Sequence, residues 1–568
     1  MVARYFVSPQ GGRRAYPNIT AALAAAAGRG RAALVEIAPG RYEEALTVQG
    51  EVRLAAIGGP GTVVVSRPRG TVLDASGAVR VHGLVLTGRD ADVVSCRAGT
   101  LTLEHTEIRA HKGVSVHARP NTSVTLRDSV ILHGRTLFAG SDGLVERCRF
   151  IDAADNAVAV IEGADVSVRD SWIGGSRIHG VRVSDARAQV TGCELTGTGR
   201  AAVMADTRAE LTVTGCTINA VHAEAIMFIE QSRGSVDGAR VTDAQHGIGV
   251  ASGADPVVRG CTFTECRDTG INVQTSGRGR FEDCEVSDAG NVAVFSTKGG
   301  APEVHGCRIS RGNVGIAVTD AARGRFTRVE IEDLTSAALR VFDESGAVFE
   351  QVRVARCPSG LETRGNGGTT ADVTDAEFRD FDMAAVAALG QSRVTLKGVV
   401  AERGVLGFGV GEEAQLLLHD CDVTAVSAGG AIGFGEAKLV ARNLTVTGSE
   451  AFGLCGKDSA YLDVANSEFA DCAAAGASFD DTCGGRLVDC AVNGTRGVAV
   501  QDNGRVDLVS LRTSLPVVKQ ATEPAELPPT IVNNYYGPVF HAAVHGAQLA
   551  WNNNKAIQQQ TNEDGSRS

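Results

Sequence analysis

The chain has 568 residues, with 55 Lys and Arg against 66 Asp and Glu and a formal net charge of −11. That balance argues against a general nucleic-acid binder, which needs a basic stripe to release counterions from phosphates. Aromatic residues at 5% and 69 glycines argue for a narrow aliphatic interior with many tight corners rather than a conventional globular core.

Met1 to Pro9 shows neither the apolar stretch nor the small-residue cleavage site of a secretory leader, and no later run has the length of a membrane span. Cytoplasmic residence without a membrane partner is the expectation. Asn18 or Thr20 is placed to cap a helix that continues through Ala21 to Ala27, with Ile19 and Leu23 on one face and Gly28 after its end. Strands follow at Leu34 to Ile37 and Leu46 to Val48, around the turn Pro39-Gly40-Arg41-Tyr42. An amphipathic helix at this point suits the open end of a stack of strands, so residues 1–83 are read as a cap and first coils.

From residue 84 the chain repeats. The phrases VRGCTF, FEDCEV and VHGCRI place Cys261, Cys284 and Cys307 at intervals of 23 residues. A second phrase follows each: Gly270-Ile271-Asn272-Val273, Val292-Ala293-Val294-Phe295 and Gly315-Ile316-Ala317-Val318. The cysteine position recurs from Leu84 through Thr106, Ser129, Cys148, Ser171, Cys193, Cys216 and Ala239. Beyond Cys307 it continues through Val329, Val352, Ala376, Gly398, Cys421, Leu444 and Ser467 to Cys490, with a mean spacing of about 22.6 residues.

Two alternating strands per period, with no room for a helix, predict an all-β fold. The reading is a right-handed parallel β-helix solenoid of about nineteen coils over residues 84–513, stacked at roughly 4.8 Å per rung into a rod of about 90 Å. Ile271, Val273, Ile309 and Val318 are predicted to point inward. Nine of the fourteen cysteines end a strand phrase and read as small buried side chains. Cys-x-x-Cys spacing is absent, so no metal is expected; side chains on stacked parallel rungs point alongside each other, so disulfide bridging is not implied, and no cofactor is expected.

One row of polar residues is a candidate for chemistry. Just before the Gly-Ile-x-Val strand, successive coils carry His179, Ala201, Glu224, His246 and Thr269, with Arg200 and Asp268 one position earlier and Arg182 and Asn272 on the outward strand face. Stacking would bring Glu224 and His246 within about 5 Å, close enough for a carboxylate to orient an imidazole, so Glu224, His246 and Asp268 are the catalytic candidates. His179, Arg182, Arg200 and Asn272 are the binding candidates. The alternative is an ordinary solvated corner. In the last coils the outward row is read as Gly409, Gly433, Cys455, Ser478 and Ala499, either a flat docking face or simply an Ala- and Gly-rich stretch.

The register is lost after Thr513. Residues 514–530, with Pro516, Pro524, Pro528 and Pro529, read as an extended flexible linker. Residues 531–568 form an Asn/Gln-rich tail whose aromatic and amide side chains, Tyr535, Tyr536, Gln548, Trp551 and Asn552 around Gly546, suit self-association or protein binding. A strand folded back as a carboxy-terminal cap is the other reading. The Gly-x-Gln core with flanking Asn is similar to short amyloid-type signalling motifs of bacterial proteins.

The string from Tyr16 to Val48, YPNIT…AALAAAA…VEIAPGRYEEALTV, resembles the amino-terminal signature of the pectin esterase and pectate lyase-like superfamily, and the later coils resemble NosD-like β-helix repeats. The resemblance spans roughly residues 1–513 and implies the right-handed β-helix fold. The superfamily's catalytic motifs do not carry over. Arg379-Asp380-Phe381-Asp382 follows the esterase segment for two residues only, Asp480-Asp481 is the sole match to the polygalacturonase set, and the epimerase Asp-Pro-His-Asp is missing. Similar bacterial β-helices look like modules that accompany secretion or AAA-type ATPases. The expectation is thus a non-catalytic recognition or scaffold protein for a protein or polysaccharide partner, with a polysaccharide-active lyase, esterase or hydrolase as the alternative.

Overall fold

The computed structural model describes residues 2–11, 15–28, 31–480, 482–502 and 505–519. They fall into two compact units, one of Met1–Asn291 with Gly299–Glu303, the other of Val292–Lys298 with the described part of Val304–Ser568. Both are built of parallel coils, and together they hold about 21 turns of right-handed β-helix.

The first unit opens with the strand Ala3–Val7, which pairs in parallel with Ala33–Ile37, itself paired with Val52 to Ala56. Coils therefore begin well before residue 84, which is why there are more than the repeat alone predicts. Helix α1, Ile19–Ala27, buries Ile19, Ala22, Leu23 and Ala26 along one stripe against these strands. Its first N–H groups lack intrahelical partners and find three carboxyl or amide oxygens. The Asn18 side chain accepts from Ala21 N at 2.8 Å, and the Glu44 carboxylate accepts from Ile19 N at 3.0 Å and Thr20 N at 2.7 Å. Of the two possible caps, Asn18 is the one used.

Each full coil contains three strands. Asp255–Arg259, Thr262–Thr264 and Thr269–Gln274 make one such coil, and each stacks on its counterpart one period away. The first sheet alternates strictly between buried and solvent-facing residues, as in Glu210–Thr214. The predicted inward residues Ile271, Val273, Ile309 and Val318 are at most 1% exposed.

The bend between first and second strands uses a single residue in the left-handed region. In the first unit this position holds Asp128, Arg147, Asp170, Gly192, Gly215, Gly238, Gly260 and Asp283, with φ between 46° and 62°. Gly, Asp and Asn adopt that conformation most cheaply, and they dominate the column. The residue after the bend turns inward and is most often Cys, Ser or Thr, with Ala, Val or Leu in the remaining coils. A hydroxyl or thiol there donates to the carbonyl two residues back: Ser129 Oγ to Arg127 O and Ser171 Oγ to Arg169 O at 2.7 Å, Cys261 Sγ to Arg259 O at 3.2 Å, Cys421 Sγ to His419 O at 3.3 Å. Where the side chain is Ser it also accepts from the neighbouring coil, as Ser171 Oγ does from Cys148 N at 3.1 Å. One assignment in this column shifts by a residue. Gly398 is the left-handed bend itself, with φ 62°, and Val399 is the inward side chain.

All fourteen cysteines are buried thiols. Burial, opposed by backbone hydrogen bonds and at Cys148 also by the Arg147 charge, pushes Cys148 and Cys421 up to about 11, and burial pushes Cys266 up to about 12.

The second unit continues the pattern past Thr513. Val517–Lys519 pairs in parallel with Val500 to Asp502, so the last described residues still belong to the stack where a linker was expected to have started.

Three outcomes follow from this packing. Ile271→Asp, which places an unpaired carboxylate in a dry interior, is expected to cost at least about 4 kcal/mol in urea unfolding. Ser171→Ala loses the corner hydrogen bonds and is expected to cost about 1–3 kcal/mol, with Ser171→Cys costing less because the thiol still reaches the carbonyl. At pH 8 a thiol near 11 is about one part in a thousand thiolate, so iodoacetamide should leave Cys148 and Cys421 unmodified in the folded protein and label them rapidly in denaturant; equal rates in both states would contradict the packing.

Candidate functional site

The polar row of the first unit lies where the second strand bends into the third. Glu224 and His246 are Cα partners in adjacent coils, and His246 is in turn the partner of Thr269. The strand carrying Glu224 has an irregularity between Val221 and Glu224, which swings the row out of the pleat before the third strand begins.

His246 Nδ1 lies 2.6 Å from Thr269 Oγ1 and 3.9 Å from the Asp268 carboxylate. Asp268 accepts a further hydrogen bond from Asn291 Nδ2 at 3.0 Å. No hydrogen bond or ion pair joins Glu224 to His246 among the described residues. The Glu224 side chain instead runs beside Gly249, where an added Cβ would stand 2.9 Å from Glu224 Cγ and 2.4 Å from Met227 Sδ. Asn272, in register with Gly249, is 4% exposed and leaves its Oδ1 without a partner.

The other binding candidates are held differently. His179 is buried, and its pKa falls to about 4, chiefly because burial penalises the imidazolium; the Ala201 carbonyl opposes this, while Arg182 and Arg200 add repulsion. It is neutral at physiological pH, with Nδ1 unpartnered. Arg182 Nε donates to Asp206 Oδ2 at 2.8 Å. Burial alone would raise the Asp206 carboxyl, but hydrogen bonds from Arg182 and Ser184 and the Arg182 charge hold it below the usual carboxylate range. Arg200 is exposed, and its backbone N–H donates to Ile178 O of the neighbouring coil. The row thus brings Glu224, His246, Asp268 and Thr269 together and keeps Arg182 on Asp206.

Two features of the second unit were not singled out from the sequence. Arg340 Nε donates to Glu362 Oε2 at 2.9 Å, with the two side chains 9% and 6% exposed, and Arg340 also reaches Ser336 Oγ. Both lie on the outer face of the third sheet, between the inward residues Leu339 and Val341 of one coil and Leu361 and Thr363 of the next. Their separation by one period was the available signal. Further along, Ala387, Leu389, Leu406, Ile432, Phe452 and Ala475 belong to one apolar cluster. The outer row there reads Gly409, Ile432, Cys455, Ser478 and Gln501, not Gly433 and Ala499. Gly433 is aligned with the inward Val410; the coil before it is one residue short between Gly404 and Leu406, and the coil that carries Gly433 regains that residue between Val426 and Gly429.

Among the described residues, no group of three or more His, Cys, Asp or Glu is placed to hold a metal ion, and no helix is long and apolar enough to cross a membrane. Asp481, the linker residues Pro524, Pro528 and Pro529, and the tail residues Tyr535, Tyr536, Gly546, Gln548, Trp551 and Asn552 lie outside the described residues.

Comparison with known proteins gives the following. A family model described as "Right handed beta helix region" matches residues 201–323, 246–398 and 359–510 in overlapping windows. No curated protein matches. Among solved structures, the gene product 12 N-terminal fragment of bacteriophage Phi29 is 9% identical, with 90% of this chain and 94% of that one covered and a TM-score of 0.39. The periplasmic alginate epimerase AlgG is 9% identical over 65% and 78%, TM-score 0.30. The A-module of the mannuronan C-5 epimerase AlgE6 of Azotobacter vinelandii is 11% identical over 88% and 94%, TM-score 0.19. At these scores no activity passes from them to this chain. The family windows together span more than half of the sequence, and they fall on coils whose strands pair in parallel throughout: the chain belongs to the right-handed β-helix family.

Proposed function

We propose that the protein is a non-catalytic recognition or scaffold module whose sheet faces bind a protein or polysaccharide partner, with the segment after residue 530 as an adhesive element. The observation that carries this reading is the way the polar side chains of the candidate site are used. Arg182 is engaged by Asp206, Asp268 by Asn291, and Glu224 lies along Gly249 with no hydrogen bond or ion pair to His246 among the described residues. A general acid and base need a shared target within hydrogen-bond reach, and these groups face neighbours in the stack instead.

The solvent-facing sheets support the same reading. Ion pairs recur between consecutive coils, such as Arg187 with Glu210 at 2.6 Å, Arg259 with Glu282 at 2.7 Å and, in the second unit, Arg403 with Asp380 at 2.7 Å. Exposed pairs of this kind contribute little to stability, because water screens them and ordering two long side chains costs entropy. Their main effect is a fixed, repeating charge pattern at the rung spacing, suited to an extended partner rather than to a small substrate. Buried free thiols fit a reducing compartment, and the cytoplasm is the proposed location.

One contact favours the alternative of a polysaccharide-active enzyme. Asp268, His246 and the Thr269 hydroxyl form a carboxylate, imidazole and hydroxyl cluster. Thr269, however, is only 2% exposed, so its hydroxyl is sealed from any polymer on the surface. The purified protein is expected to show no cleavage, de-esterification or epimerisation of polygalacturonate or alginate above background. Turnover that disappears in a Glu224→Ala, His246→Ala double variant with unchanged circular dichroism would replace the scaffold reading by the enzymatic one.

A further inference from the structure

The second sheet, built from the middle strand of each coil, arranges its outward charges differently in the two units. In the second unit consecutive members of one outward row carry opposite charges and pair within the stack: Arg308 lies 3.2 Å from Glu330, and Arg353 lies 3.6 Å from Glu330 and 4.0 Å from Glu377. In the first unit the same row places Arg149, Trp172 and Glu194 in consecutive coils, in the strands Arg149–Ile151, Trp172–Gly174 and Glu194–Thr196. Val130 and then Glu107 precede them, and Thr217 and then Arg240 follow. Neighbouring opposite charges from Arg149 to Arg240 are thus two rungs apart, about 9.6 Å, with Trp172 or Thr217 between them. Arg149, Glu194 and Arg240 are exposed, and none has a charged partner among the described residues. The Arg149 guanidinium carbon instead stands over the Trp172 ring, 5.3 Å from its centroid. The indole leans across Gly174, where an added Cβ would meet its Cη2 at 2.2 Å. Trp172 is partly exposed, as are Val130, Leu132 and Ile151 in the two coils before it.

We infer that this face is the docking surface for a second copy of the chain. The order of charges selects that occupant, because the row is self-complementary about Trp172. One coil away stand Arg149 on one side and Glu194 on the other; three coils away stand Glu107 and Arg240. A two-fold axis along the strands, through the Trp172 rung, lays the row over its own copy with the coils in opposite order. Each Arg149 then faces Glu194 of the partner subunit, and each Arg240 faces Glu107 of the partner subunit, a carboxylate already held by an Arg109 in its own strand. Both contacts occur twice, as an isologous interface requires. The two indoles meet on the axis, and each Arg149 lies between its own Trp172 and a carboxylate, the aromatic and guanidinium composition that concentrates binding energy at interfaces. Six coil steps by three residues make a strip of about 29 by 10 Å, small against the roughly 800 Å² per partner of a standard interface, so the association is weak, in the micromolar range. The inference goes beyond the proposed function and does not depend on it: a scaffold and an enzyme with this face would pair alike.

The test is sedimentation equilibrium of the full chain. The unsubstituted protein is expected to dimerise in the micromolar range. Arg149→Glu sets carboxylate against carboxylate at both copies of the central contact, and Glu194→Arg sets guanidinium against guanidinium. Each should weaken dimerisation at least tenfold with circular dichroism unchanged. An equimolar mixture of the two variants, one of them fluorescently labelled, should regain the original affinity as a heterodimer, because both contacts again join Arg to Glu. Trp172→Ala should weaken the dimer without being rescued by either charge variant. A chain that stays monomeric throughout the micromolar range, single variants that associate as the unsubstituted chain does, or a mixture no tighter than its components would each overturn the inference. Binding or turnover of a polysaccharide by the monomeric variants would bear on the proposed function alone.

Discussion

The structure depends on one corner, repeated in most of the coils: a left-handed residue followed by a small inward side chain that hydrogen-bonds the carbonyl just before the bend. A sharp turn frees backbone groups that the ladder no longer pairs, and a buried unpaired carbonyl costs about as much as a lost hydrogen bond. Ser, Thr and Cys each carry one donor on a short stem, and all are small enough for the interior edge. This explains why cysteine and serine alternate in the column without either being reactive: Ser171 and Cys148 stack on one another and make the same bond to their own strands. The left-handed residue before them sets the bend angle, and the exposed side chains of that row pair between coils, as Arg147 does with Asp128 and Asn443 with Asp420.

The third sheet is governed by a different constraint. Its two faces are both dry in the second unit, so its outward residues obey core rules. A carboxylate or guanidinium there needs a partner, and Arg340 and Glu362 supply each other's. Where no such pair is available the row turns to Gly, Ala, Ile and Cys. At the start of this sheet the coils approach so closely that a Cβ on Gly407 would stand 2.4 Å from the Gly430 carbonyl oxygen. That approach is the physical content of the Gly in the Gly-Ile-x-Val phrase.

Much of this was legible in the sequence because a period of about 23 residues leaves so few ways to bury alternating apolar strands. The inward positions Ile271, Val273, Ile309 and Val318 follow from parity alone. Errors arose where one residue is added or lost within a coil. Spacing alone points to Gly398 for the inward position that belongs to Val399, and to Gly433 for the outward position that belongs to Ile432, because an interval counted along the chain does not reveal which coil absorbs the extra residue. The candidate site was legible only as a register. Spacing placed Glu224 beside His246, but the choice of Thr269 and Asp268 over Glu224 as the imidazole's neighbours depends on side-chain directions at an irregular bend, which composition and periodicity do not encode.

The repeated corner also bears on how such a chain changes over generations. Because successive bends share the same backbone conformation and the same carbonyl-capping bond, the residues just after two of them, such as Cys261 and Cys284, present equivalent junctions. Loss or duplication of the 23 codons between them rejoins like to like, leaving the ladder continuous on both sides of the splice. Recombination in the gene can therefore lengthen or shorten the stack by whole coils, whereas an insertion of a single codon rotates every following side chain to the wrong face unless a bulge such as that before Gly429 takes it up.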